Sequence, residues 1–85
     1  MPAHLDGNER TRLQELAAQL RAATWDALQN RSTLARSLDE SRGELERLLM
    51  LSAIDAAERR RVVVRAQMML DAWRGMAVSM VARAP

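Results

Sequence analysis

An all-α fold of long helices is what this sequence predicts, and three observations carry the prediction. Apolar residues recur at spacings of three and four along most of the chain, strand-like alternation is absent, and the apolar residues are mainly Leu, Ala, Val and Met. The only aromatics are two Trp, with no Phe or Tyr, a palette that suits helices better than sheets. At 85 residues, 48% apolar and 28% charged, the chain is one domain that can fold. A chain of this size buries only about 60% of its unfolded surface on its own, so it gains from partners. The expected architecture over 1–85 is an antiparallel, coiled-coil-like hairpin of two long helices that is oligomeric, with a three-helix bundle as the alternative.

The first helix is expected from about residue 9 to about residue 51. Asp6 stands three residues before Glu9, the spacing of a capping box, with Asn8 offering a second capping oxygen. Leu13, Leu16, Leu20, Ala23 and Ala27 then form one stripe. The stripe resumes, displaced by four residues, as Leu34, Leu38, Ser41, Leu45 and Leu48. A four-residue insertion of this kind is a stutter, which relaxes a supercoil without ending the helix. Two places compete as breaks: the run from Asn30 to Thr33, and the run around Gly43, where Ser41 and Glu44 have capping-box spacing. Trp25 and Leu28 form a smaller apolar shoulder beside the main stripe.

A turn is expected at about 52–54, because Ser52 with Asp55 and Asp55 with Glu58 both have capping-box spacing ahead of a new periodic run. The second helix is expected over about 55–83. Its inward series is Val62, Ala66, Met69, Trp73, Met76 and Met80, widened by Val63, Leu70, Ala77 and Val81. Gly75 falls inside the run and reads as a packing point rather than a stop. In a hairpin turning near residue 52, the beginning of the first helix overhangs the second. Leu13, Leu16 and Leu20 lie on that overhang, and a contiguous leucine stripe does not remain in water. These three residues are therefore the expected self-association surface of a homo-oligomer.

Chemistry is narrowly bounded. His4 is the only histidine, and there is no Cys, Tyr or Lys to act as nucleophile, acid or base, so catalysis is a remote reading and a thiolate metal site is excluded. No catalytic residue, metal ligand or cofactor site is expected, and the three isolated Gly make no phosphate loop. Asp39, Glu40, Glu44 and Glu46 cluster in sequence but read as a solvated or Arg-paired helix face. The absence of Cys and the opening MPAHLDGNER, which has no basic segment followed by an apolar run, suit a cytoplasmic protein. Between Val62 and Ala84 the apolar run is interrupted by Arg65, Asp71, Arg74 and Arg83, so no membrane span is expected.

All thirteen basic residues are Arg, giving a formal net charge of +2. They are unevenly placed: residues 1–58 carry an excess of three acids, and residues 59–85 an excess of five bases. The sharpest feature is the basic patch Arg59, Arg60, Arg61 and Arg65. In an antiparallel hairpin these face Glu46, Glu44, Glu40 and Asp39 and set the register; left free, they would suit nucleic-acid phosphates. The remaining candidate surface is the Met- and Trp-rich face of the second helix. Val62, Met69, Leu70, Trp73, Met76 and Met80 form a face too broad for one neighbouring helix, and Met suits adaptable hydrophobic binding. The functional expectation is a non-enzymatic helical adaptor or chaperone-like regulator binding a heterologous partner protein through that face. The alternative is an Arg-dependent nucleic-acid-binding accessory protein.

Overall fold

The capping signals and stripes resolve into three helices in the computed structural model, which describes the backbone of residues 2–3 and 5–83 and the side chains of residues 5–79. A two-residue strand β1 (Pro2–Ala3) precedes α1 (Gly7–Gln29), α2 (Leu34–Met50), a second short strand β2 (Ile54–Asp55) and α3 (Ala56–Arg83). The strands pair antiparallel, Pro2 with Asp55 and Ala3 with Ile54. The rest of the described chain is helical apart from the short segments 5–6, 30–33 and 51–53. No helix among the described residues is long and apolar enough to cross a membrane.

Both expected helix starts are made by the residues that announced them. The Asp6 carboxylate accepts a hydrogen bond from the Glu9 N–H at 2.7 Å, and the Asp55 carboxylate accepts one from the Glu58 N–H at 3.1 Å. Each occupies an N–H that the first helical turn leaves without a carbonyl.

The helix expected over about 9–51 is instead divided between α1 and α2. Arg31 adopts a left-handed backbone, φ 54°. Around it the Arg31 N–H donates to the Leu28 carbonyl at 3.1 Å and the Ser32 N–H to the Ala27 carbonyl at 2.8 Å. This pair of bonds is a Schellman motif, which closes a helix by using carbonyls that no later turn will reach. The Ser32 hydroxyl then accepts from the Leu34 N–H at 3.2 Å and starts α2. The four residues read as a stutter are thus the connection itself. A four-residue loop and a four-residue helical insertion preserve the apolar spacing equally, so the stripe alone does not separate them. The left-handed position usually belongs to Gly or Asn, and Arg gives no signal there. Gly43, the other candidate break, lies within α2, which runs on to Met50.

Polar contacts fix the directions of the helices. Arg10 donates to the Leu49 carbonyl at 2.9 Å and Arg21 pairs with Glu46, which sets α1 antiparallel to α2. Arg47 meets Glu58 at 3.1 Å, and Arg65 meets Glu44 and Glu40 at 3.4 and 3.7 Å, so α2 and α3 are also antiparallel. Arg59 with Glu9, and Arg74 with Gln19, join α1 and α3 in parallel. The core between them is Leu13, Leu16, Leu20, Ala23 and Ala27 from α1, Leu38, Leu45 and Leu48 from α2, and Val62, Ala66, Leu70 and Trp73 from α3. Ile54 closes one end. The chain is elongated, 52 × 18 × 18 Å with a radius of gyration of 14.3 Å, against about 12 Å for a compact globule of this length.

The three leucines expected to seek another chain are covered within this one. Leu13, Leu16 and Leu20 all lie in the core, because α3 runs beside α1 once α2 has folded back. The overhang that called for a second copy existed only if residues 9–51 formed one rod.

Candidate functional site

Helix α3 carries the candidate site, and its two faces have different fates. Val62, Ala66, Leu70 and Trp73 point into the core, with Val63, Met69 and Ala77 half-buried beside them. Of the residues expected to bind a partner, Val62, Leu70 and Trp73 are therefore committed to the chain's own interior. Trp73 is 5% exposed, so it is not an accessible anchor. Met69 is half-buried and Met76 is 42% exposed. Met80 lies outside the residues whose side chains are described. The inward face looked too wide for one neighbour because it has two, α1 and α2.

The opposite face of α3 is the one left open. Val64, Met68 and Val78 are 46%, 61% and 69% exposed. Ala57 is exposed on the same side, as are Arg61, Asp71 and Gly75. These positions follow one another at intervals of four and three residues, the spacing of a coiled-coil seam. Along its first half the side chains enclose a shallow apolar furrow of about 420 Å³ lined by Ala57, Arg60, Arg61, Val64, Arg65, Met68 and Met69. Among the described residues, nothing beyond α3's own local backbone and the two residues flanking Gly75 lies within 4 Å of where a Cβ at Gly75 would be. Backbone can therefore approach backbone closely at that end. The sequence did hold this signal, because Val64 and Met68 fit the second series as well as they flank the first. The inward series holds more apolar residues and so dominates the periodicity.

The basic patch is partly consumed inside the fold. Arg59 pairs with Glu9, and Arg65 lies between Glu40 and Glu44. Arg65 thus meets two of the acids on α2 that the basic patch was expected to face, whereas Arg59 turns to α1 and not to α2. Arg60 and Arg61 are exposed and make no ion pair among the described residues.

On α2 the acidic cluster is similarly spoken for. Arg42 meets Asp39 at 2.7 Å and Glu46 at 2.6 Å. The hydrogen bond to the Asp39 carboxylate raises the Arg42 pKa most; desolvation, next in size, opposes it, and Glu46 adds a further rise. Glu46 titrates below the usual carboxylate range, chiefly because Arg21 donates to it and then because Arg42 does. Among the described residues no three His, Cys, Asp or Glu gather as a metal site would require. Glu40, Glu44 and Glu46 each meet an Arg of another helix, and Asp39 one of its own.

A smaller apolar patch lies at the α1–α2 end, where Trp25 is 64% and Leu28 58% exposed. Leu28 lines a cavity of about 460 Å³ with Thr24, Ser32, Thr33, Ala35, Arg36 and Asp39. Most of the residues around it carry polar groups, whereas the furrow on α3 is lined by apolar side chains and arginine stems. What the α3 surface can do chemically is bind: an apolar row carries one positive and one negative side chain, with further arginines alongside. Comparison with protein families, with curated proteins and with solved structures finds no match to this chain.

Proposed function

We propose that the chain is a non-enzymatic helical protein–protein interaction module, of the adaptor or chaperone-like regulatory kind, that docks its partner on the outward face of α3. The observation that supports this reading is the exposed row containing Ala57, Val64, Met68 and Val78 on a helix whose other face is already packed. Isolated exposed apolar residues are ordinary on any protein, whereas a periodic row with a furrow along it has the form of a helix-docking surface. The docking residues in this reading are Val64, Met68 and Val78, not Val62, Leu70 and Trp73.

A photoreactive amino acid placed at Met68, with the same group at exposed Ala18 on α1 as the control, tests it in cells. Adducts are expected from position 68 and not from position 18. Absence of adducts from position 68, or equal labelling at both, would remove the reading.

The Arg-dependent nucleic-acid reading draws on Arg60 and Arg61, which have no acidic partner among the described residues. Two phosphate contacts imply a slope of only about −1.8 in log affinity against log salt. Such a shallow dependence suits an auxiliary contact better than a main function.

A further inference from the structure

We infer that the outward seam of α3 pairs with the same seam of a second copy, antiparallel, about a two-fold axis near Ala66. This rests on the proposed use of that face for docking and names its occupant. The ground is a self-complementarity in the sequence of the exposed row. An antiparallel pairing centred near residue 66 sets Arg61 against Asp71 of the second copy, Val64 against Met68, and Ala57 against Gly75. The two-fold axis repeats each match, as an isologous interface requires.

Each match has its own physical reason. Arg61 and Asp71 are exposed and make no ion pair among the described residues, so both are free to meet an opposite charge across the seam. Val64 and Met68, 46% and 61% exposed, are the large apolar side chains at the middle of the row. They would cover one another at the centre. Ala57 and Gly75 are the smallest pair and allow the helices to stay close at both ends, with open space around Gly75. The furrow formed by Ala57, Arg61, Val64 and Met68 is the kind of hole into which a facing helix inserts its knobs.

The charges also choose the direction. A parallel pairing would set Arg61 against Arg61 and Asp71 against Asp71, so like charges exclude it. At the flanks, the antiparallel register brings Arg65 near its symmetry mate, but Glu40 and Glu44 already neutralise that guanidinium within each chain. Arg60 comes near Arg74 of the second copy, and the Arg74 guanidinium is turned back onto Gln19 at 3.1 Å. Those flanks add no attraction, so specificity comes from the seam itself. From Ala57 to Gly75 the seam runs about 27 Å. Because α3 is already held by α1 and α2, association does not have to order a helix, a cost that burdens isolated peptides.

A charge-swap series read by sedimentation equilibrium tests the register. The wild-type chain is expected to dimerise, and Arg61→Asp and Asp71→Arg, each alone, to weaken dimerisation by about tenfold or more, since each variant replaces two attractions by two repulsions. An equimolar mixture of the two variants should dimerise again. One chain then presents carboxylates at both positions and the other guanidiniums, and both pairs are restored. Helicity of each variant by circular dichroism separates a lost interface from a lost fold, since both positions are exposed. A wild-type chain that remains monomeric at hundreds of micromolar, or variants that dimerise like the wild type, would overturn the inference. So would a mixture of folded variants that stays monomeric. The mass of the Met68 adducts distinguishes the two levels: twice the chain mass supports the second copy. Adducts with only a different protein leave the docking reading standing and reject self-pairing.

Discussion

Replacing Arg31 with Gly should stabilise this protein, and the sign of the effect is what makes the experiment useful. Arg31 holds φ 54° in the Schellman turn between α1 and α2. A left-handed conformation costs an L-residue about 1–2 kcal/mol, because its Cβ crowds the following carbonyl. Glycine removes that crowding but gives the unfolded chain more freedom, which takes back about 0.4–1 kcal/mol. The Arg31 side chain is exposed and makes no ion pair among the described residues, so little else is lost with it. The net expectation is a gain of about 0.5–1 kcal/mol. For a domain of this size that is a rise of about 2–8 °C in Tm. Thermal melting followed by circular dichroism at several protein concentrations is the assay, since any self-association would make Tm depend on concentration. If residues 9–51 formed one continuous helix, Gly at position 31 would instead cost about 1 kcal/mol as an interior helix glycine. A fall in Tm would therefore refute the turn and restore the long rod.

Three further outcomes follow from the core and its ion pairs. Ser41 is 1% exposed and its hydroxyl has no hydrogen-bond partner among the described residues, so Ser41→Ala, which removes an unsatisfied group at little change in size, should stabilise by about 1 kcal/mol in a urea titration. Trp73→Ala should cost about 3–5 kcal/mol and markedly reduce the melting temperature, because Trp73 fills the interior between α1, α2 and α3. A variant that melts like the wild type would place Trp73 on the surface. Glu46 has a lowered pKa in the folded chain, so its contribution is complete above the ordinary carboxylate range and is lost as pH falls through the lowered value. Glu46→Gln should then destabilise at neutral pH by no more than about 1 kcal/mol, less in high salt, and converge with the wild type in strong acid.

What the sequence by itself determined is what local chemistry decides. The apolar periodicity named Leu13, Leu16, Leu20, Leu38, Leu45 and Leu48 as one continuous stripe, and all six are buried. Asp6 and Asp55 marked helix starts because a carboxylate three residues before an open N–H is a local interaction that needs no distant partner. The approximate opposition of α2 and α3 was also legible, since antiparallel helices of equal rise pair residues at a constant sum. What only the tertiary structure decided is where the chain turns between residues 29 and 34, and hence which surfaces remain open. A four-residue loop and a four-residue stutter leave the same stripe, and Arg at the left-handed position hides the turn. Once the chain turns there, α3 lies along α1, the leucines at the start of α1 are covered, and Trp73 is enclosed. The outward row through Val64 and Met68 then becomes the exposed face. Periodicity ranks the apolar faces of a helix by how many residues they hold, but only the packing of the other two helices decides which face is left to meet something else.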